Sequence, residues 1–182
     1  MSIPSKPIKL VRFRWKLQDL PPEAADFAKP YKVRQAEDHE LDDALGVVKA
    51  SYNLDPEWSG YGKHLDDFVL PGLKRAFGDN VHCLFVFHGN RVIAASAFAP
   101  ETEDGIHLVT GPCVLIEYRN RGIGGALLGA TLKALRDLGL TEAVGQTRPR
   151  TPSAKYLFTK FGGQEIAPPR SLPADADAAV AA

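Results

Sequence analysis

The 182 residues include equal numbers of acidic and basic side chains, 22 of each, so no overall field draws the chain to nucleic acid or an anionic membrane. A content of 45% hydrophobic and 24% charged residues is that of a globular domain with a substantial core, and no uninterrupted apolar segment is long enough to span a bilayer. Cys83 and Cys113 have neither metal-ligand nor redox spacing and make no disulfide framework, so the expected home is the reducing cytoplasm.

Residues 1–18 carry Lys6, Lys9, Arg12, Arg14 and Lys16 with no acidic residue. Within them Val11, Phe13, Trp15 and Leu17 alternate with basic residues, the period of a half-buried strand. A targeting presequence would show helical periodicity, and the start lacks the apolar core of a secretory signal. An RNA-binding arm is the other reading of the basic run. The alternation favours an added edge strand. Pro21-Pro22 and Pro30 then bracket a linker with a short helical turn near Ala24 to Phe27, so residues 1–30 read as an extension, 31–167 as the main domain and 168–182 as a disordered tail rich in Pro, Ala and Asp.

From Tyr31 the pattern is α/β. A strand spans Tyr31 to Ala36, and Asp38 is placed to cap a helix whose Leu41, Leu45, Val48 and Tyr52 form one apolar stripe. A loop over 53–62 holds Trp58 and Tyr61 among the breakers Pro56, Gly60 and Gly62. Helical sequence from Lys63 to Phe77 is interrupted at Pro71-Gly72. Strands Cys83–Phe87 and Val92–Phe98 flank a Gly89-Asn90 hairpin turn. After Asp104-Gly105 a central strand runs from Leu108 to Ile116. A helix carrying Leu128, Leu132, Leu135 and Leu138 ends at Gly139. Ala143–Gln146 is a strand, Ser153–Lys160 the last helix and Gln164–Ile166 a short strand.

Between the central strand and the long helix lies Arg119-Asn120-Arg121-Gly122-Ile123-Gly124-Gly125-Ala126. A strand, a basic glycine-rich turn and a helix start make an anion site: backbone can approach a ligand closely, and the first helical turn offers free N–H groups and the positive dipole end. Ala126-Leu127 after Gly125 excludes a P-loop, which needs Lys followed by Ser or Thr. A dinucleotide-binding turn fits poorly, because Leu127 occupies its third glycine position and Glu117 to Arg121 separates strand from glycines.

The spacing Arg-x-x-Gly-x-Gly at Arg119, Gly122 and Gly124 resembles the signature of the GNAT acetyltransferase superfamily. Val114 lies five residues ahead, where that family has an apolar strand residue, and Thr151, Ala154, Phe158, Lys160 and Gly162 follow its Asn-x-x-Ala-x-x-x-Tyr-x-Lys-x-Gly segment. The resemblance implies a mixed, mostly antiparallel central sheet flanked by about four helices. It implies acetyl-CoA as cosubstrate and no metal. Arg119 to Ala126 would hold the pyrophosphate, Val114, Leu115 and Ile116 would pair with the pantetheine, and Ser153 and Phe158 of the last helix would lie alongside it. The implied activity is acetyl transfer by direct attack of a primary amine, from a small molecule or a peptide. The alternative is a coenzyme-A-binding interaction module. The family fold closes with one more strand beside the one near Ile166, which Pro168, Pro169 and Pro173 prevent here; the strand at Val11–Leu17 would cover that edge, in its own chain or a partner's, as in a homodimer.

The catalytic groups depart from the family pattern. A lysine-like amine is neutral in only about 1 molecule in 2,500 at pH 7, yet Leu108 to Ile116 contains no Asp or Glu to act as base. His107 is the nearest titratable candidate, with a structural histidine as the competing reading; Glu101, Glu103 and Asp104 read as a solvated turn. Phe158 replaces the tyrosine that serves the family as general acid, and Tyr156, about 200° around a helix from it, should face elsewhere. Pro112 has no N–H to polarise a thioester carbonyl and implies a bulge. Cys113 reads as a buried core residue rather than a nucleophile. Trp58, Tyr61 and His64 lie where family members contact the acceptor, or anchor a long loop.

Overall fold

The computed structural model describes residues 8–167; the tail expected to be disordered lies outside them. Among the described residues seven strands form two sheets, all pairs antiparallel. In the first, order β2-β3-β4-β5, Lys32–Gln35 is β2, Cys83–His88 β3, Arg91–Ala97 β4 and Cys113–Val114 β5. In the second, order β6-β1-β7, Glu142–Thr147 is β6, Val11–Lys16 β1 and Gln164–Ile166 β7. Gly89, at φ 60, turns the β3–β4 hairpin. The described residues form four α-helices that flank the sheets: α1 at Leu41–Asn53, α2 at Gly62–His64, α3 at Leu70–Ala76 and α4 at Ile123–Asp137.

Pleating divides the core. Phe85, Ala95 and Ala97 face α1 and α3, while Val86 and Ala94 pack with Ile123 and Leu127 of α4. The buried hydroxyls of Thr131 and Ser96 pair across that second interface at 2.8 Å. A third cluster joins Phe13, Trp15 and Leu17 to Leu128, Leu132, Leu135 and Phe158. Burial contributes roughly 1.5–3 kcal/mol for a side chain of Leu or Phe size, so β1 is a core element.

Several expectations change. The strand in the extension is not at an edge: β1 lies between β6 and β7, with Lys16 opposite Glu142 and Arg12 opposite Ile166. It does occupy the place next to β7, within its own chain. The central strand is broken: only Cys113–Val114 is strand, with a single bridge from Leu108 to Phe98. Gly111 takes φ 64 and Pro112 follows it, so the ladder is lost and the Thr110 hydroxyl accepts the Ala97 N–H instead, at 3.0 Å. Pro71 does not interrupt its helix; a wide turn at Leu65–Val69, with Leu70 N–H bonded to the Leu65 carbonyl, precedes it and absorbs the missing donor. Asp38 does not cap α1: Glu37 and Glu40 form a capping box on the 3-10 turn Asp38–Glu40, which leads into α1, and the α1 N-cap, Glu40, makes no side-chain cap bond to it. In the linker the helical turn is at Pro22–Ala25. The last helix shrinks to one wide turn, Ser153–Leu157, followed by Lys160–Gly162, where Phe161 at φ 57 ends it.

Candidate functional site

The two sheets touch where the His107 and Leu108 N–H groups donate to the Val144 carbonyl, at 2.8 and 3.1 Å. Beyond that contact β5 and β6 are not paired. A cavity of about 460 Å³ opens between them, lined by Thr110 to Val114, Gln146 and Thr147, the glycine turn, the last helical turn and the loop after α1. A groove of about 960 Å³ between α1 and β2–β4 holds none of the glycine turn.

At one end of the cavity Gly122, at φ 78, caps α4 without any side-chain hydrogen bond. The first intrahelical bond of α4 runs from Ala126 N–H to the Gly122 carbonyl, at 3.1 Å, which leaves the N–H groups of the first turn for a ligand. Lys160 stands against this turn: a Cβ on Gly125 would lie 3.2 Å from its Cε and 3.8 Å from its Nζ. Backbone donors, a helix dipole and an ammonium thus converge on one spot.

In the middle, β5 presents an open edge. Leu115 N–H donates to the Ile93 carbonyl at 3.0 Å, so by strand alternation Val114 turns its N–H and carbonyl away from β4. That carbonyl already accepts from Arg119 Nε at 3.1 Å. Among the described residues the Val114 N–H is therefore the donor this edge leaves open, Pro112 having none. The loop after α1 adds Asp55, Glu57 and Trp58 to the lining.

A model of the acetyltransferase (GNAT) family matches residues 31–162. The chain belongs to the GNAT acetyltransferase family. Among solved structures its fold is similar to a GCN5-related N-acetyltransferase from Sphaerobacter thermophilus, with TM-score 0.58, 17% identity and coverage of 88% of this chain and 50% of that one. It is similar also to a Drosophila protein, with TM-score 0.59, 15% identity and coverage of 89% and 50%. A GNAT acetyltransferase from Colwellia psychrerythraea gives TM-score 0.56, 14% identity and coverage of 88% and 53%. The chain spans about half the length of these solved chains. No curated protein matches it in sequence.

Of the residues that the GNAT resemblance singled out, Val114, Arg119, Asn120, Gly122, Ile123, Gly124, Gly125, Ser153 and Phe158 line the cavity; Leu115, Ile116, Arg121 and Ala126 do not, nor does His107, the titratable candidate. Leu115 is buried against the α1 and α3 side, and Ile116 is 47% exposed. Arg119 lines the cavity but is a brace: Nη1 bonds Asp55 Oδ2 and Nη2 the Ser51 carbonyl, both at 3.0 Å, besides its bond to Val114. Arg121 donates to the Glu117 carbonyl at 3.0 Å and lies over the Tyr118 ring. Lys160, which motif spacing marked without a role, is the cation nearest Gly125; its proximity depends on a tertiary turn that spacing does not encode.

The acid–base candidates sort by their partners. His107 Nδ1 accepts from Val144 N–H at 3.0 Å and burial lowers its pKa, so it is a neutral splice between the sheets. The Cys113 thiol is pushed up to about 11 by burial and stays protonated at neutral pH. The Tyr52 phenol, raised further by burial, donates to the Thr110 carbonyl at 3.2 Å. The Phe158 ring packs against Phe13 and Trp15, at 5.6 and 5.5 Å. Tyr156 does reach the cavity rim, because the wide turn departs from the 100° step of an α-helix. Trp58 lines the cavity, tilted against Tyr52 at 4.8 Å and stacked on His64 at 5.7 Å; Tyr61 and His64 do not line it. Sequence reading passed over Ser51, Asp55 and Glu57, which lack any motif signal, and gave Tyr52 only a place in the apolar stripe of α1.

Proposed function

We propose that the protein is an N-acyltransferase that moves an acetyl group from acetyl-CoA to a primary amine. The observation that carries this reading is the meeting of the uncapped α4 start, the Lys160 ammonium and the open β5 edge in one cavity. The first-turn N–H groups and Lys160 suit a diphosphate. The Val114 N–H suits an amide of an extended arm lying in the gap between β5 and β6. The protonated Cys113 speaks against an acyl-enzyme and for direct attack by the amine. The acceptor is a small molecule or a peptide amine, and the compartment a reducing cytoplasm, in keeping with two buried free thiols.

A second reading, a coenzyme-A-binding module without turnover, is favoured by Phe158 in place of a phenol and by the tied His107. Calorimetry with coenzyme A and thiol release from acetyl-CoA across a panel of amines separate the two. Micromolar to millimolar binding with turnover above background supports the enzyme. Binding without turnover supports the module, and no binding by the folded protein removes both.

A further inference from the structure

We propose that Glu57 is the general base, and that the acceptor is an aliphatic amine arriving as its ammonium ion. This rests on the acetyltransferase reading above. Glu57 lines the cavity, in the loop after α1. Its neighbour Asp55 is fully engaged: one oxygen accepts the Glu57 N–H at 2.9 Å and the other accepts from Arg119 Nη1 at 3.0 Å. The Glu57 carboxylate, in contrast, has no hydrogen-bond or ion-pair partner among the described residues. A half-buried carboxylate with nothing bonded to it is ready for a cationic ligand.

The surroundings select the ligand. Three charged groups influence Glu57: Asp55 on its own loop, Arg119 ahead of α4 and Arg148 after β6. Asp55 and Arg119 neutralise each other. Arg148 is drawn over the Tyr61 ring, 4.2 Å from its centroid, and donates to the Tyr61 hydroxyl at 3.3 Å. Glu57 therefore keeps its own charge for the cavity. The adjacent Trp58 adds apolar wall beside it, its ring packed against Tyr52 and His64. Burial and Asp55 raise the Glu57 pKa, which moves a carboxylate toward the basicity a proton acceptor needs. Its rivals are occupied or protonated: His107 holds Val144, and Cys113 and Tyr52 keep their protons.

The step balances. The ammonium gives one proton to the Glu57 carboxylate and becomes a neutral amine. Its lone pair forms the C–N bond at the thioester carbon as the C–S bond breaks. The second nitrogen proton passes through water to the departing thiolate, and Glu57 releases its proton to solvent. One proton is set free per turnover.

The test compares the wild type with E57Q in the full chain, using 1,4-diaminobutane and an aryl amine that is already neutral at pH 7. With the diamine, E57Q should lose roughly 10²–10⁴-fold in kcat/KM at pH 7. The deficit should shrink about tenfold per pH unit as free amine accumulates. With the aryl amine, wild type and E57Q should match, and both should bind coenzyme A equally and melt together. An E57Q enzyme as active on the diamine as the wild type overturns the proposal, and so does an equal loss on both amines, which marks a structural role. If the wild type binds coenzyme A but acetylates no amine, the acetyltransferase reading falls first and takes this one with it.

Discussion

The indole N–H of Trp15 donates to the backbone carbonyl of Lys160 at 2.9 Å. One bond thus ties the middle strand of the second sheet to the residue whose ammonium stands beside Gly125. The N-terminal segment and the anion end of the cavity are parts of one construction. Trp15→Phe removes one of two donors to that carbonyl, the Gly163 N–H at 3.1 Å remaining, and shrinks a fully buried side chain, so a loss of about 1–3 kcal/mol is expected in urea unfolding. Removing residues 1–18 unpairs both β6 and β7 and is expected to abolish cooperative unfolding; a truncated chain with an unchanged melting curve would refute the placement of β1.

Lys160 and Arg119 should behave oppositely. Lys160→Met keeps the carbonyl that Trp15 needs and removes a charge-assisted contact, so the Kd for coenzyme A should rise about tenfold or more while the melting temperature holds. Arg119→Met strips Asp55 of its partner. Breaking a buried pair costs about 3–5 kcal/mol, and side-chain exposures of 27% and 15% put the effect here at the lower end. Calorimetry and chemical denaturation on both variants read the contrast.

Gly129→Ala probes the packing of the N-terminal segment on α4. A Cβ there would lie 1.8 Å from the Ala24 carbonyl oxygen, so backbone has to move. The expected loss is at least about 1–3 kcal/mol, the cost of overpacking. A Gly129→Ala protein as stable as the parent would mean that Pro22–Ala25 does not sit on α4.

Acid should expose the Arg34–Glu40 pair. Bonds from Arg34 at 2.7 and 2.8 Å, together with the Glu37 N–H, hold the Glu40 carboxyl down at about 2. Its folded pKa lies below its unfolded one, so the unfolded chain binds the proton more readily. The pair's contribution is complete above about 4.5 and is lost as pH falls toward about 2. In Arg34→Met the stability profile should be flatter across that window, as measured by denaturant midpoints at successive pH values.

Much of the fold was legible because its signals are local. Gly122 to Ala126 followed by leucines at helical spacing announces α4, Gly139 ends it, and Gln164–Ile166 reads as strand and is strand. What escaped depends on distant partners. The alternation from Val11 to Leu17 reveals a strand but not that β6 and β7 flank it. The apolar run Leu108 to Ile116 suggests one long strand, whereas the left-handed Gly111 and the donorless Pro112 break it. Basic residues near glycines suggest phosphate ligands, yet Arg119 is bound to Asp55 and Ser51, and the cation at the turn comes from Lys160.

The position of β1 also governs when the protein can finish folding. A ribosome makes Val11–Lys16 long before it makes β6 and β7, the two strands that β1 joins. An apolar ribbon bearing Phe13, Trp15 and Leu17 must wait without hydrogen-bonded neighbours while the intervening chain is synthesised. The alternating Arg12, Arg14 and Lys16 keep that waiting strand soluble and discourage it from pairing with a stranger.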